Sequence, residues 1–379
     1  MQDTEERPRS ASPRVVIGLV LAAVAVGAVA SVAVYPRQQP TVTRQPALNI
    51  VVTPIQVPPA GQPLLWFRDS SVEGSFVLRA VNWSGKVEGS LSVSCSVCGV
   101  ASSPDGRRLL IGDQSAPGRG PDQDRVYDSA GRQLSVVDGF AARWSDDGAQ
   151  LCALRAPANL DPSLQSASSA YLWLTNVATG TARSIAAVTT DAGVGQGSWT
   201  LLSCSVGADR AVVAFEADGI KALRIVQLST GGTVFSGDGS TVNRACLCPI
   251  SSVVVSGDGM TAVEDEAASG NVLAIDPRTG RDIPMAGSWS GRGPVLDLSW
   301  SGHLAVTPLG VYTFPSGAAL WEAPLPAYLV PSGSQPHGDK LLLSLWLSSA
   351  AAGQPVIVLD DGTLLKLPAT YLSQPPLPY

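Results

Sequence analysis

From Leu64 onwards, short apolar segments alternate with polar turns, and one unit returns seven times. In each copy an apolar strand is followed by a turn that carries glycine and then by a second short strand. A Gly after Ser, Thr or Asp supplies the positive φ that a tight hairpin needs. The turn glycines lie 37 to 51 residues apart, at Gly85, Gly131, Gly180, Gly231, Gly280, Gly317 and Gly362. This spacing is typical of four-stranded blades, so the pattern predicts an all-β, seven-bladed β-propeller over residues 64–379, with these turns between the two outer strands of each blade.

A second hairpin signal lies upstream of most of these turns. It has the form Ser-x-Asp-Gly followed by an apolar strand, as in SPDGRRLLI (103–111), SDDGAQLCAL (145–154) and SGDGMTAV (256–263). Looser copies read VGADRAVVAF, SWSGHLAV and PHGDKLLLSL. A polar turn followed by an apolar run is typical of a hairpin that leads into a buried strand. The apolar stretches before these hairpins, such as GVASS and AARW, predict the innermost strands.

The first unit, residues 64–93, contains no obvious inner strand. Two segments could supply it, ALNIVV at 47–52 and the C-terminal TYLSQPPLPY at 370–379. Proline cannot donate a hydrogen bond to a strand ladder, and β-branched residues favour strands. ALNIVV is therefore the better candidate for the missing strand.

An uncharged apolar run at residues 15–35 has the length that a helix needs to cross about 30 Å of hydrocarbon. Arginines flank the run on both sides, with a slight excess before it, so it predicts a single N-terminal transmembrane helix preceded by a cytoplasmic tail, residues 1–14. A cleaved signal peptide is the alternative, because Ala28, Val29 and Ala30 form an A-x-A pattern.

Both alternatives place the rest of the chain outside the cytoplasm. The expected location is the cell membrane, as a single-pass protein with an extracytoplasmic C-terminal domain, or secretion if a peptidase cleaves after Ala30. Residues 36–63 are rich in Pro and Gln and predict a partly extended linker between the membrane and the domain. The formal net charge of −6 gives no basic face for nucleic acid, so we expect no nucleic-acid partner.

Long loops on one end of the blades are the expected binding site. The connections between second and third strands are long at 112–124, 155–170 and 264–270, and the topology places them on one face. Their charged residues are the candidate ligand-binding residues: Asp113, Arg119, Asp122, Asp124, Arg155, Glu264, Asp265 and Glu266. Calcium binding by these carboxylates is an alternative, but no D-x-D-x-D-G loop is present, and we assign no metal ligand and no cofactor.

Six cysteines are present. Exported proteins tend to form disulfides, and CLC stands where a zinc site would have a second C-x-x-C, so the pattern favours disulfides. Free buried thiols and a metal site are the alternatives. The disulfide candidates are Cys95, Cys98, Cys204, Cys246 and Cys248, and a bridge from Cys204 to the CLC pair of the next blade is geometrically possible. Connectivity cannot be derived from the sequence.

The SPDGRRLLI element resembles the repeat of TolB-like and WD40-like bacterial β-propellers, over residues 64–379. The chain lacks the Gly-His and Trp-Asp pairs of the eukaryotic WD40 pattern. The resemblance implies a binding platform more often than an enzyme, and it specifies no ligand.

The leading functional hypothesis is a membrane-anchored binding or scaffold module for an envelope protein, a peptide or a glycan. Only two histidines occur, His303 and His337, which disfavours histidine-based catalysis, and we assign no catalytic residue. The alternative is a propeller enzyme of the lactonase or lyase kind that uses carboxylates and a divalent ion in a central channel.

Overall fold

The structure is a computed structural model. It describes residues 50–366 except for 62, 69–73, 96–97, 113–122, 156–168, 190–197, 218–219, 238–249, 267–271, 286–288, 290–291, 325–326, 336, 339, 348–353 and 359–362. These residues form strands and turns without a helix, in seven four-stranded sheets whose strand pairs are all antiparallel. No helix among them is long and apolar enough to span a membrane. The predicted transmembrane segment 15–35 lies outside the described residues.

The first sheet has the strand order β1–β4–β3–β2. Its strands are β1 (Val51–Gln56), β2 (Leu64–Arg68), β3 (Ser75–Asn82) and β4 (Val87–Ser94).

In the other six sheets the strands pair in chain order. The second sheet contains β5 (Gly99–Ser102), β6 (Arg108–Gly112), β7 (Gln123–Asp128) and β8 (Gln133–Asp138). The third contains β9 (Phe140–Trp144), β10 (Gln150–Arg155), β11 (Ser169–Asn176) and β12 (Ala182–Thr189). The fourth contains β13 (Ser198–Ser205), β14 (Arg210–Ala217), β15 (Ile220–Gln227) and β16 (Thr233–Gly237).

The last three sheets repeat this arrangement. The fifth contains β17 (Ile250–Val255), β18 (Ala262–Glu266), β19 (Val272–Asp276) and β20 (Arg281–Ile283). The sixth contains β21 (Asp297–Leu298), β22 (Leu304–Thr307), β23 (Gly310–Thr313) and β24 (Ala319–Glu322). The seventh contains β25 (Ala327–Ser334), β26 (Leu341–Leu347), β27 (Gln354–Val358) and β28 (Leu364–Lys366). The predicted alternation of apolar strands and glycine turns is confirmed across these sheets.

The first strand of each sheet from the second to the seventh is an inner strand. Successive first strands lie against one another, β9 with β13, β13 with β17, β17 with β21 and β21 with β25. We call β5, β9, β13, β17, β21 and β25 the inner strands. They coincide with the apolar stretches that the sequence placed before each Ser-x-Asp-Gly hairpin.

The segment ALNIVV does not fill the inner position of the first sheet. Its last residues belong to β1, which pairs with β4 at the opposite edge, with Val51 facing Ser94. The predicted inner placement is therefore wrong. The strand VVTPIQ contains Pro54 and is exposed along almost its whole length, as expected for an edge strand that donates few ladder hydrogen bonds.

Strand β2 corresponds to the second strand of the other sheets. Leu64 at its start faces Asn82 at the end of β3, just as Arg108 of β6 faces Asp128 of β7. In the first sheet, β2, β3 and β4 thus take the positions of the second, third and fourth strands of the other sheets, and β1 lies at the edge beyond β4. Strand β1 also lies within the predicted linker 36–63, and the compact unit of the chain begins at Gln45. Its pairing with β4 draws this part of the linker into the folded domain.

Buried apolar side chains join each sheet to the next. Burying one such side chain contributes about 1.5–3 kcal/mol, so these layers are the main source of stability. At each of the first six boundaries between consecutive sheets, buried side chains of both sheets belong to one apolar cluster. One side chain from each of the two sheets is named here, in chain order: Leu78 with Leu109, Val126 with Leu151, Leu172 with Leu201, Ile225 with Ile275, Val263 with Leu298, and Val306 with Leu341.

A seventh cluster joins the last sheet to the first. Leu65 and Phe67 of β2, with Val81 of β3, pack with Leu342 of β26. Each sheet therefore has an apolar layer against both of its neighbours, and the series returns to its start. This arrangement is propeller-like.

The Ser-x-Asp-Gly turns are built by hydrogen bonds within the hairpin. The Ser103 hydroxyl donates to Asp105 Oδ1 at 2.6 Å and accepts from the backbone N–H of Arg108 at 2.9 Å. Gly106 has a φ of 67°, and a Cβ there would collide with the Leu64 carbonyl of the preceding sheet. The same bonds recur around Ser256 and Asp258. The motif is thus explained by hairpin geometry.

Candidate functional site

The two ends of the sheets differ in the length of their connections. In an antiparallel sheet, the first-to-second and third-to-fourth turns share one end, which we call the turn end. The second-to-third connections and the connections between sheets share the other, which we call the loop end. Between described strands, no connection at the turn end is longer than that from Gln56 to Leu64, whereas the loop end includes 113–122, 156–168, 190–197, 238–249 and 284–296.

The predicted residues of the 112–124 connection are only partly described. Asp113, Arg119 and Asp122 lie outside the described residues. Asp124 belongs to β7, where it is buried opposite Val137. Its carboxylate lies against Gly112, where a side chain would have no space. Asp124 is therefore a strand residue packed at the end of its sheet, and the prediction of a loop residue is corrected.

Arg155 lies at the loop end of the third sheet. It ends β10 and faces Tyr171 of β11. Its guanidinium Cζ lies 4.0 Å from the ring centroid of Trp173, a cation–π distance. Tyr171 is 40% exposed. An arginine and an exposed aromatic ring therefore stand beside the 156–168 connection.

Glu264, Asp265 and Glu266 belong to strand β18 and not to a loop. Glu264 faces Val253 on one side and Leu273 on the other, and Glu266 faces Ile250. The ladders with β17 and β19 extend the strand through the acidic run, because backbone pairing is indifferent to side-chain charge. The predicted loop therefore contracts to 267–271. Within the described part of the chain, no cluster of three or more His, Cys, Asp or Glu side chains could hold a metal ion.

Two disulfides are present among the described cysteines. Cys95 and Cys98 close a short bridge in the connection between the first and second sheets. Cys204 of β13 pairs with Cys152 of β10, which the sequence interpretation left out of the candidates. Cys204 is thus bonded to the preceding sheet and not to the CLC pair of the following one. Cys246 and Cys248 lie outside the described residues.

Two charged residues that the sequence interpretation missed lie on inner strands. Arg143 is in β9 and Asp297 is in β21. The six inner strands read GVAS, FAARW, SWTLLSCS, ISSVVV, DL and AYLVPSGS, so these two are their only charged residues. We call Arg143 and Asp297 the inner-strand pair. The signal that could have found them is a single charge inside a predicted inner strand.

Electrostatics couples the inner-strand pair. Burial raises the pKa of the Asp297 carboxyl to about 6, although a hydrogen bond from the Leu298 N–H at 2.9 Å and attraction to Arg143 both lower it. Burial likewise lowers the pKa of Arg143, and attraction to Asp297 opposes that shift. Arg143 Nε donates to the Leu201 carbonyl of β13 at 3.1 Å, which fixes the guanidinium beside the neighbouring inner strand. The pair therefore consists of a guanidinium that is hydrogen-bonded to β13 and a carboxyl whose pKa is raised to about 6.

Both histidines lie at the turn end, in the hairpins where the sequence predicted them. His303 and His337 are exposed, and the ring of His337 lies 5.1 Å from that of Trp300 in the neighbouring sheet. They are thus at the opposite end of the sheets from Arg155.

Comparison with known proteins adds no further constraint. Neither a scan against protein-family models nor a search of curated proteins finds a match for this chain. The resemblance to TolB-like and WD40-like propellers therefore remains an expectation that rests on the turn sequences alone.

Proposed function

We propose that the protein is a membrane-anchored, extracytoplasmic binding or scaffold module whose loop end engages an envelope protein, a peptide or a glycan. The observation that carries this proposal is the contrast between the two ends of the sheets. The connections at the turn end are short, while the long connections between described strands lie at the loop end, where binding residues in scaffolds of this kind are usually found.

The proposed scaffold is a seven-bladed β-propeller. The seven sheets and the seven apolar layers that lead from each sheet to the next and back to the first support this blade count. The first sheet has no described strand at its inner position. In the other junctions, the chain leaves an outer strand and enters the inner strand of the next sheet. By the same rule, we propose the second candidate from the sequence, TYLSQPPLPY at 370–379, for the inner strand of the first sheet, and this segment lies outside the described residues.

Export and anchoring rest on two observations. The apolar run 15–35 has the length of a membrane-spanning helix. The two disulfides fit a protein that matures in an oxidising compartment, where such bonds persist. Accessibility to an impermeant cysteine reagent tests this placement: a new surface cysteine at Ser229 should react in intact cells if the domain is outside, and only after permeabilisation if it is inside.

Crosslinking in membranes tests the proposed binding role. The full chain is compared with a variant whose 113–122 connection is shortened, and with a control variant, Thr179→Ala, that keeps this connection intact. We expect the wild type and the control to yield the same crosslinked partner, and the loop variant to lose it. Equal capture by all three proteins would refute a binding role for this loop.

The control substitution lies at the turn end, in the tight turn between β11 and β12. There Thr179 is exposed, and its hydrogen bonds join it to Asn176 and Thr181 of the same hairpin. It therefore tests whether any surface change disturbs capture. A partner that is lost with the shortened 113–122 connection and kept with Thr179→Ala must depend on the loop end.

One observation favours a second function, a propeller enzyme of the lactonase or lyase kind that works through carboxylates. The carboxyl of Asp297 has a pKa of about 6, close to the range that general acid–base catalysis uses. If a divalent ion serves this chemistry, a chelator should lower the melting temperature, because a ligand that binds only the folded state stabilises it. An unchanged melting temperature, together with a stable crosslinked partner, would favour the binding module.

A further inference from the structure

We propose that the exposed apolar side chains of β1 and of the residue after it form a docking surface for the lipid bilayer. The surface consists of Val51, Ile55 and Val57, and we call it the β1 apolar surface. The inference rests on the membrane anchoring proposed above. It goes further than that proposal, because it names the part of the folded domain that contacts lipid.

The β1 apolar surface is the most exposed apolar segment that the structure describes. Val51, Ile55 and Val57 are 47%, 62% and 55% exposed, and no other large apolar residue among the described ones exceeds 42%. All three lie within seven consecutive residues. Exposed apolar side chains that are grouped in this way mark a contact site for another molecule, because their hydration is unfavourable.

Strand β8 of the second sheet adds a further exposed apolar side chain. Its Val136 is 42% exposed and is the neighbour of Val137, which is buried against the third sheet. Since side chains alternate between the two faces of a strand, Val136 faces the first sheet. The turn before β8 lies against β1, because a Cβ on Gly131 would be 3.2 Å from Cγ1 of Val52.

The surroundings of β1 carry little free charge. No charged residue occurs from Gln45 to Phe67. Two exposed cations on adjacent turns, Lys86 and Arg132, are already paired with Glu88 and Asp128, at 3.3 Å and 3.0 Å. Burying a charge in an apolar medium is costly, whereas burying Val and Ile is favourable. This segment can therefore enter the boundary of a bilayer without desolvating an unpaired charge.

Prolines disfavour another strand as the occupant of this surface. An edge strand ordinarily accepts a further strand through its outward N–H and C=O groups. Pro54 within β1, and Pro58 and Pro59 soon after it, have no N–H to donate. A second copy of the chain or a peptide could form only an interrupted ladder there. Contact with a bilayer, in contrast, uses the side chains alone.

The length of the linker keeps β1 within reach of the bilayer. Residues 51–56, which the sequence placed in the linker, belong to the first sheet, so only residues 36–50 separate the apolar run 15–35 from β1. A segment of this length spans at most about 50 Å when fully extended. No other described strand is as close to the apolar run along the chain. The proposed anchor therefore tethers the domain by the strand that has the most exposed apolar side chains.

Photocrosslinking of the full chain in phosphatidylcholine vesicles tests the proposal. Benzoylphenylalanine replaces Ile55 in one variant and Leu309 in the control, because Leu309 is an apolar residue of the sixth sheet that is also exposed, at 38%. After irradiation, mass spectrometry distinguishes a lipid adduct from a crosslink to a second copy of the chain. Burial of one large apolar side chain favours the docked state about tenfold or more, so lipid adducts at position 55 should exceed those at position 309 by about this factor.

The variant Ile55→Gln assigns the contact to the β1 apolar surface. With the photoreactive residue in place of Val57, Ile55→Gln should reduce the lipid adducts about tenfold, because a polar side chain replaces an apolar one that contacts lipid. Leu309→Gln is the matched control and should leave the adducts at position 57 unchanged. Both side chains are exposed in the folded domain, and near-ultraviolet circular dichroism verifies that each variant is folded.

Equal lipid adducts at positions 55 and 309 overturn the proposal, and so does a crosslink from position 55 to a second copy in place of lipid. A lipid yield at position 57 that Ile55→Gln leaves unchanged has the same consequence. In cell membranes, an adduct of position 55 with another protein in place of lipid would show that a protein covers this surface.

Alkaline carbonate extraction separates failure of this docking surface from failure of the anchor. An anchored chain stays in the membrane pellet whether or not β1 contacts lipid. Retention in the pellet without lipid adducts at position 55 overturns the docking surface and leaves the anchor in place. A chain that carbonate releases, and that forms no lipid adduct at this position, overturns both.

Discussion

The hydroxyl of Ser205 lies 3.0 Å from Oδ2 of Asp146, across the boundary between the fourth and third sheets. Asp146 also accepts hydrogen bonds from the backbone N–H groups of Val206 and Gly207, at 2.7 Å and 3.0 Å. On its other side the Ser205 hydroxyl lies 2.6 Å from the carbonyl of Asp258 in the fifth sheet. The turns of three successive sheets are therefore interlocked by polar contacts.

Asp146→Ala should destabilise the protein by about 2 kcal/mol, because it leaves two N–H groups of the next turn without their charged acceptor. Chemical denaturation measures this change. In a double-mutant cycle with Ser205→Ala the coupling energy should exceed about 0.5 kcal/mol, as it does for residues in one network. The pair Asp146→Ala and Ser299→Ala, which share no contact, is the control and should be additive. Additive effects for Asp146 and Ser205 would contradict the interlocking.

The turns could be predicted from the sequence because their chemistry is local. Gly131 and Gly180 adopt positive φ, and Ser103 and Asp105 bond to the backbone within their own hairpin. The position of β1 could not be predicted. VVTPIQ is compatible with either edge of the first sheet, and the choice is made by pairing with β4, a contact that only the folded chain provides.

The disulfide between Cys152 and Cys204 should contribute more stability than that between Cys95 and Cys98. The two bonds close segments with sequence separations of 52 and 3. In the chain-entropy model, the longer closure constrains the unfolded chain by about 4 kcal/mol and the shorter by about 1.5 kcal/mol. Urea unfolding of the two double-alanine variants measures the difference. Equal losses, or a larger loss for the short bridge, would contradict the model.

The candidate site was harder to predict than the fold. Arg143 and Asp297 lie in the third and sixth sheets, and each is one charge within a short strand. The attraction between their charges arises only in the folded chain. Cys152 was missed for the same reason, since its partner depends on which sheets are neighbours. By contrast, Arg155 lies at the loop end as predicted, because chain connectivity fixes that position.

Removal of residues 367–379 should destabilise the domain if they supply the inner strand of the first sheet. The loss should be several kcal/mol, comparable to the removal of several buried apolar side chains. A variant in which Gly and Ser replace the same residues controls for length and should be equally unstable. Thermal unfolding of the full chain measures both. Wild-type melting temperatures in both variants would show that another segment, or none, closes this sheet.

Asp297→Asn should stabilise the protein at neutral pH. The folded-state pKa of about 6 lies above the usual value of 3.8, so the folded state binds the proton more tightly. The stability that this provides is fully present below about pH 4 and is lost as the pH rises through about 6. The loss amounts to no more than about 3 kcal/mol. The amide cannot ionise, so the variant should keep this stability at neutral pH.

Asp276→Asn is the control of opposite sign. Burial raises the pKa of Asp276, but hydrogen bonds and attraction from Arg278 more than offset it, so that the pKa lies below its usual value. Its carboxylate therefore stabilises the folded state above about pH 4, and this contribution is lost as the pH falls. In urea unfolding across the range from acidic to neutral pH, Asp297→Asn should flatten the decline toward neutral pH, whereas Asp276→Asn should lower stability there. A parallel pH profile for Asp297→Asn and the wild type would exclude titration of Asp297 in this range.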